Sequence, residues 1–247
     1  VSLPPEKTLL LGWNDSAPII VRELDHYVAK GSTVTVVAGR EFEEQAQACC
    51  NLQNQELSFH AGDTTDRVLL DSLDIPEYNH VIALADTSLD IQTADARTLI
   101  TLLHLRNIAG IDETPFSIVS EMLDLRNREL AAVTNVDDFI VSDHLISLMT
   151  AQLSENAGLQ GVFNDLFDAE GNEIYLKPAS DYVELGQPVN FYTVVEAARR
   201  RHETAIGYRL GAEARNFAAQ FGVRINPKKS AEVRFAEEDK VIVLAEE

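Results

Sequence analysis

The chain has 247 residues, 45% of them apolar and 24% charged, enough to bury a sizeable core. With 40 acidic against 20 basic side chains its formal charge is −20, a field that repels phosphate backbones and argues against nucleic acid as a partner. No apolar run reaches the ~18–20 residues that span a bilayer, and the polar opening "VSLPPEK" is not a secretory leader, so the composition reads as a soluble domain from a reducing compartment.

Residues 8–143 alternate strand and helix signals with short joins. "TLLLGW" (8–13) predicts a strand, followed by a helix over 17–31 whose Ile20, Leu24, Tyr27 and Val28 recur at helical spacing before Gly31. "STVTVVAG" (32–39) is continuous and β-branched, as in a strand buried on both faces. A helix over 41–50, carrying Cys49 and Cys50, leads to a strand at 57–63. A helix at 65–73, a strand at 80–86, a long helix at 88–107, a strand at 116–122, a helix at 124–133 and a strand at 138–143 complete the alternation. Six strands separated by helices predict a parallel sheet covered on both sides.

The pattern changes at residue 144. A long helix over 144–168 is interrupted near Asn156-Ala157-Gly158 and carries an apolar stripe of Leu145, Leu148, Met149 and Leu153. That stripe packs on its own sheet or meets a second subunit. "DAEGNE" (168–173) reads as a turn, since it lacks the ligand spacing of an EF-hand. Beyond it the texture is α+β: strands at 171–178, 204–210 and 240–246, a helix at 190–202, and a turn-rich connection at 222–229. The predicted fold class is therefore α/β, a doubly wound and mostly parallel Rossmann-like sheet followed by a smaller α+β subdomain.

A dinucleotide fingerprint needs three small positions after the first strand. Gly12 fills the first and Ala17 the third, but Asn14 stands at the middle one, where its side chain is expected to take the space of the phosphates. The second strand closes on Ala38-Gly39-Arg40, without the acid that grips a ribose; Arg40 suits either an extra phosphate or a surface ion pair. NAD is disfavoured on these residues. The candidate cofactor contacts are Gly12, Trp13, Asn14, Arg40 and Asp63. Asp63, Asp66, Asp86, Asp90, Glu121, Asp124 and Asp143 all follow strands, whose carboxyl ends share one edge of such a sheet. Asp and Glu at such places cap helices or, when clustered, bind a divalent cation. Arg199-Arg200-Arg201 either holds an anion or closes a helix end by ion pairs. There is no G-x-S-x-G elbow, no phosphate-binding P-loop and no H-E-x-x-H pair, and no residue set reads as catalytic.

The series strand, Gly12 turn, helix, strand, then "HAGDTTD" (60–66), "ALAD" (83–86) and Ser120-Glu121 resembles the RCK domain, the cytoplasmic regulator of potassium conductance, and the TrkA-type subunits. "VNFYTVVEAARRRHETAIGYR" (189–209) and "INPKKSAEVRFAEEDKVIVLAEE" (225–247) are similar to the Castor/Pollux family of RCK-bearing ion channels. The resemblance implies a non-enzymatic gating-ring domain on the cytosolic face of a membrane, working as a homotetramer with a pore domain of the same chain. It implies a linker at 1–7, a Rossmann-like lobe at 8–155, a helical crossover at 156–171 and an α+β subdomain at 172–247. Calcium is the implied ligand: Glu121 matches an acid that helps bind it in some RCK channels, with Asp124, Asp86 and Asp143 as further candidates. Here the second acid of that pattern is replaced by Leu123, and Asp124 lies one step on. The alternative is a soluble TrkA-like, nucleotide-binding subunit of a potassium transporter.

Overall fold

The computed structural model describes residues 4–49, 51–110, 116–127, 138–168, 171–214 and 216–246. The chain divides into two compact units, 1–155 and 156–247.

In the first unit six strands form one sheet: β1 (Lys7–Leu11), β2 (Ser32–Ala38), β3 (Gln55–Ala61), β4 (His80–Ala83), β5 (Ser117–Met122) and β6 (Asp138–Val141). Their order is β3-β2-β1-β4-β5-β6, and every pairing is parallel. The order reverses between β1 and β4, which opens a crevice at the carboxyl ends of those strands. Period-two alternation sends Leu9 and Leu11 to one face and Leu10 to the other. The first pair packs with Leu70, Leu102 and Leu105 of helices α3 (Arg67–Asp71) and α4 (Ile91–Ala109). Leu10 packs with Ala17 and Val21 of α1 (Ala17–Tyr27) and Ala46 of α2 (Glu43–Gln47). The sheet is thus covered on both sides, as predicted.

Some helices differ in length from the prediction. α1 stops at Tyr27 because Val28 is already extended, at φ −102° and ψ 149°. The helix expected over 41–50 is a 3₁₀ turn, Arg40–Phe42, followed by the five residues of α2; Asn51 turns the chain at φ 88°, and Cys50 lies outside the described residues. Of the helix expected over 124–133, a 3₁₀ turn at Leu125–Asn127 is described and the rest lies outside. α5 (Ser142–Glu155) ends the first unit.

The second unit begins at the predicted interruption. Gly158, at φ 91°, precedes α6 (Leu159–Phe167). Within "DAEGNE", residues 169–170 lie outside the described residues. Strands β7 (Glu173–Pro178), β9 (Thr204–Arg209), β10 (Val223–Ile225) and β12 (Lys240–Ala245) form an antiparallel sheet in the order β10-β9-β12-β7. β8 (Pro188–Asn190) pairs with β11 (Glu232–Arg234). α7 (Phe191–Arg200) is capped by Asn190 and buries Phe191, Val194 and Ala198 among Ala205, Phe235, Val241 and Val243. Strand β10 replaces part of the expected turn at 222–229. Gly207 explains the tight register of β9 on β10: a Cβ there would stand 2.4 Å from the carbonyl oxygen of Arg224.

Candidate functional site

The carboxyl ends of β1 to β4 and the first half of α4 enclose a cleft of about 470 Å³, within the range of small-ligand sites. Its floor is the turn after β1. Gly12 sits at φ +92°, and a Cβ there would lie 2.7 Å from the carbonyl oxygen of Leu84, so the turn is closed to any other residue. Trp13 follows it, nearly fully buried among Leu10, Ala17, Val21 and Val36, with its indole N–H donating to Gln45 Oε1 at 3.2 Å. Arg40 lines the cleft from the end of β2; its side chain is exposed. Asp63, from the end of β3, accepts from Arg97 at 2.6 Å and from the backbone and hydroxyl of Thr65 at 2.9 and 2.7 Å. Burial pushes the Asp63 carboxyl up, but Arg97 and Thr65 outweigh it and hold the pKa at about 2. Asp86 closes the β4 side and accepts from Ser88 N–H and Oγ at 3.0 and 2.6 Å.

Four of the five candidate cofactor contacts therefore line one cleft: Gly12, Trp13, Arg40 and Asp63. Asn14 corrects the sequence reading. Its side chain is not among those lining the cleft; it donates to Ala85 O at 2.9 Å and to Glu121 Oε2 at 2.7 Å. The physical reason is burial: Asn14 is 7% exposed, and a buried amide must find partners.

Three of the four candidate metal ligands, Asp86, Glu121 and Asp124, are held by protein partners. Glu121 accepts from Asn14, from Ala85 N–H at 3.2 Å and from Ser142 Oγ at 2.6 Å. Asp124 forms a fork with Arg126, with Nη2 at 2.6 Å and Nε at 3.0 Å. Arg126 holds the Asp124 pKa at about 2. Asp143 belongs to the first turn of α5, and its side chain lies outside the described residues. Among the described residues no group of three His, Cys, Asp or Glu stands close enough to hold a metal ion. Asp66 and Asp90 cap α3 and α4 through Val68 N–H and Thr93 N–H. The three arginines of 199–201 are all paired: Arg199 and Arg200 with Glu196 at 2.8 and 3.0 Å, Arg201 with Glu203 at 3.8 Å.

Comparison with known proteins places this geometry. No family model matches the chain. Ion channel DMI1 of Medicago truncatula is 30% identical over 98% of this chain. The probable ion channel SYM8 of Pisum sativum is 29% identical and ion channel CASTOR of Lotus japonicus 28% identical, each over 98% of this chain. Over nearly its whole length the chain is similar to the Castor/Pollux ion channels. It spans about a third of the length of these curated relatives: 31%, 30% and 32%. The human SLO3 gating ring matches over 97% of this chain and 44% of its own, at 15% identity and a TM-score of 0.64, which shows the same fold.

The segments that carry the Castor/Pollux resemblance are structural in the second unit. Glu203, opening "ETAIGYR", accepts from Tyr182 Oη at 2.5 Å and from Lys177 Nζ at 2.8 Å. Burial, and then the Glu203 carboxylate, push the Tyr182 hydroxyl well above its ordinary range. Asp239, opening "DKVIVLAE", is 3% exposed and accepts from the backbone of Gly211 and Ala236, both at 2.8 Å.

In the first unit, sequence reasoning missed Asp95. It is fully buried in α4 and accepts from Leu123 N–H, Asp124 N–H and Asn127 Nδ2 at 2.8, 3.0 and 2.7 Å, fixing the loop after β5. The signal was present, since Asp95 shares helical spacing with Thr98, Leu102 and Leu105 and so falls on the buried stripe. No described helix is long and apolar enough to cross a membrane.

Proposed function

We propose that this chain is the cytosolic gating-ring (RCK) domain of a Castor/Pollux-like cation channel, a non-enzymatic regulator that senses a ligand at the carboxyl edge of its parallel sheet. One observation carries this reading: a gating-ring fold keeps an open cleft at its topological switch point, framed by Gly12, Arg40, Asp63 and Asp86. Four whole chains assemble, each with its own pore segment. Binding favours one arrangement of neighbouring lobes, and the strain reaches the pore through the segment ahead of β1. The energy passed on is limited to the ligand's differential affinity for the two arrangements.

The ligand proposed is a divalent cation such as Ca2+, drawn to the acidic edge of the sheet, where Asp86 lines the cleft and Glu121, Asp124 and Asp143 are further candidate ligands; its binding would displace the present partners of Asp86, Glu121 and Asp124. A second reading is favoured by Asn14. Because its side chain is bonded to Ala85 and Glu121 and does not line the cleft, a TrkA-like domain holding a nucleotide against Gly12 and Arg40 is compatible with the same cleft. Calorimetric titration of the purified chain with Ca2+, ADP, ATP and NADH separates the two. Calcium binding in the sensor range of about 10⁻⁷–10⁻⁵ M, weakened at least tenfold in E121Q, supports the first. Binding of a nucleotide with calcium inert supports the second. Silence of all four at millimolar concentration overturns the sensor.

A further inference from the structure

One carboxylate in the first unit joins two loops and the start of a helix that lie far apart in sequence. Glu121 stands on β5. Its Oε2 accepts from Asn14, in the loop after β1, and from the backbone of Ala85, in the loop after β4; its Oε1 accepts from Ser142 Oγ, the first residue of α5. Asn14 is itself fixed, since it donates to Ala85 O and its Oδ1 accepts from Ser16 N–H at 3.0 Å. The neighbours of these two residues line the cleft: Gly12 and Trp13 on one loop, Leu84 and Asp86 on the other. α5 in turn displays Leu145, Ile146 and Leu148, each about half exposed. The cleft and α5 are thus connected by side-chain bonds through a single residue.

We propose that Glu121 is the relay between the cleft and α5. A ligand that shifts Trp13 or Asp86 moves Asn14 and Ala85 against the Glu121 carboxylate, which then tightens or loosens its hold on Ser142 and the first turn of α5. Hydrogen bonds that share an acceptor in a partly buried site depend on one another, and a donor removed from one loop leaves the carboxylate free to reorient toward the rest. Glu121 is a positioning residue in this scheme. Its purpose rests on the reading of the cleft as a ligand site; its bonds do not.

Hydrogen exchange followed by mass spectrometry on the full chain tests the relay without any ligand. N14A is expected to change protection of the amides at 146–150 by about 3- to 10-fold, although Asn14 does not touch α5. In an E121A background, N14A is expected to add nothing, and E121Q to keep the parental pattern. A glutamine oxygen accepts from Asn14 and Ala85 while its amide donates to Ser142 Oγ. β2, in the same first unit and separated from β5 by β1 and β4, unchanged, certifies a folded chain; if E121A fails that check, S142A replaces it as the background in which the N14A effect must vanish. Protection of α5 that ignores N14A, an N14A effect that survives loss of Glu121 or Ser142, or E121Q behaving like a broken relay overturns the proposal. Calcium affinity is expected to fall in E121Q while the relay persists, so the failure of the ligand reading and the failure of the relay are distinguishable.

Discussion

Gly12 and Asn14 show how much a single position decides. At Gly12 the left-handed backbone and the Leu84 carbonyl both exclude a side chain. G12A is therefore expected to cost about 1–3 kcal/mol or more, read as a lower urea midpoint, with parental stability as the contrary result. Sequence alone showed that a turn-forming glycine follows the first strand, because only glycine takes such a backbone freely. It also placed Arg40 and Asp63 at strand ends, where both line the cleft. It misread Asn14, because spacing gives a residue's place along the chain and not its rotamer. Asn14 turns toward Ala85 and Glu121, 71 and 107 residues away, and no local pattern announces partners at that separation. Glu121 is the same case seen from the other side: its place after the fifth strand was legible, its three donors were not.

Among the elements, the six parallel strands were legible because each is a β-branched or apolar run set between helical stretches. β8, β10 and β11 were not. Each has three residues, too few for an alternation to register, and each exists only because a partner strand pairs with it. α5 and α6 were readable through the break at Gly158, although periodicity could not say what faces the apolar side of α5. Leu145, Ile146 and Leu148 are about half exposed in the single chain, and a second subunit is the proposed cover for that side. L148D combined with M149D is expected to reduce self-association in sedimentation velocity while the melting transition stays within a few degrees. Unaltered assembly of the folded double variant would place the subunit contact elsewhere.

At the scale of the whole molecule, the proposed role asks two features to work together: a cleft at the switch point of a parallel sheet and the proposed link from this chain to a pore. The net charge of −20 suits attraction of cations to the rim, while Arg40 and Arg97 give the cleft itself a basic edge. A tenfold change in the open-to-closed ratio of a pore asks for about 1.4 kcal/mol of differential affinity, well within what one small ligand supplies. The decisive measurement is the open probability of the complete channel in a planar bilayer, recorded while calcium, and then ATP and NADH, are perfused over the cytosolic face. A severalfold change with at least one of these probes, abolished when its binding to the isolated chain is abolished, is the predicted result. An open probability indifferent to all three, in a channel whose RCK domain demonstrably binds one of them, would contradict a gating role.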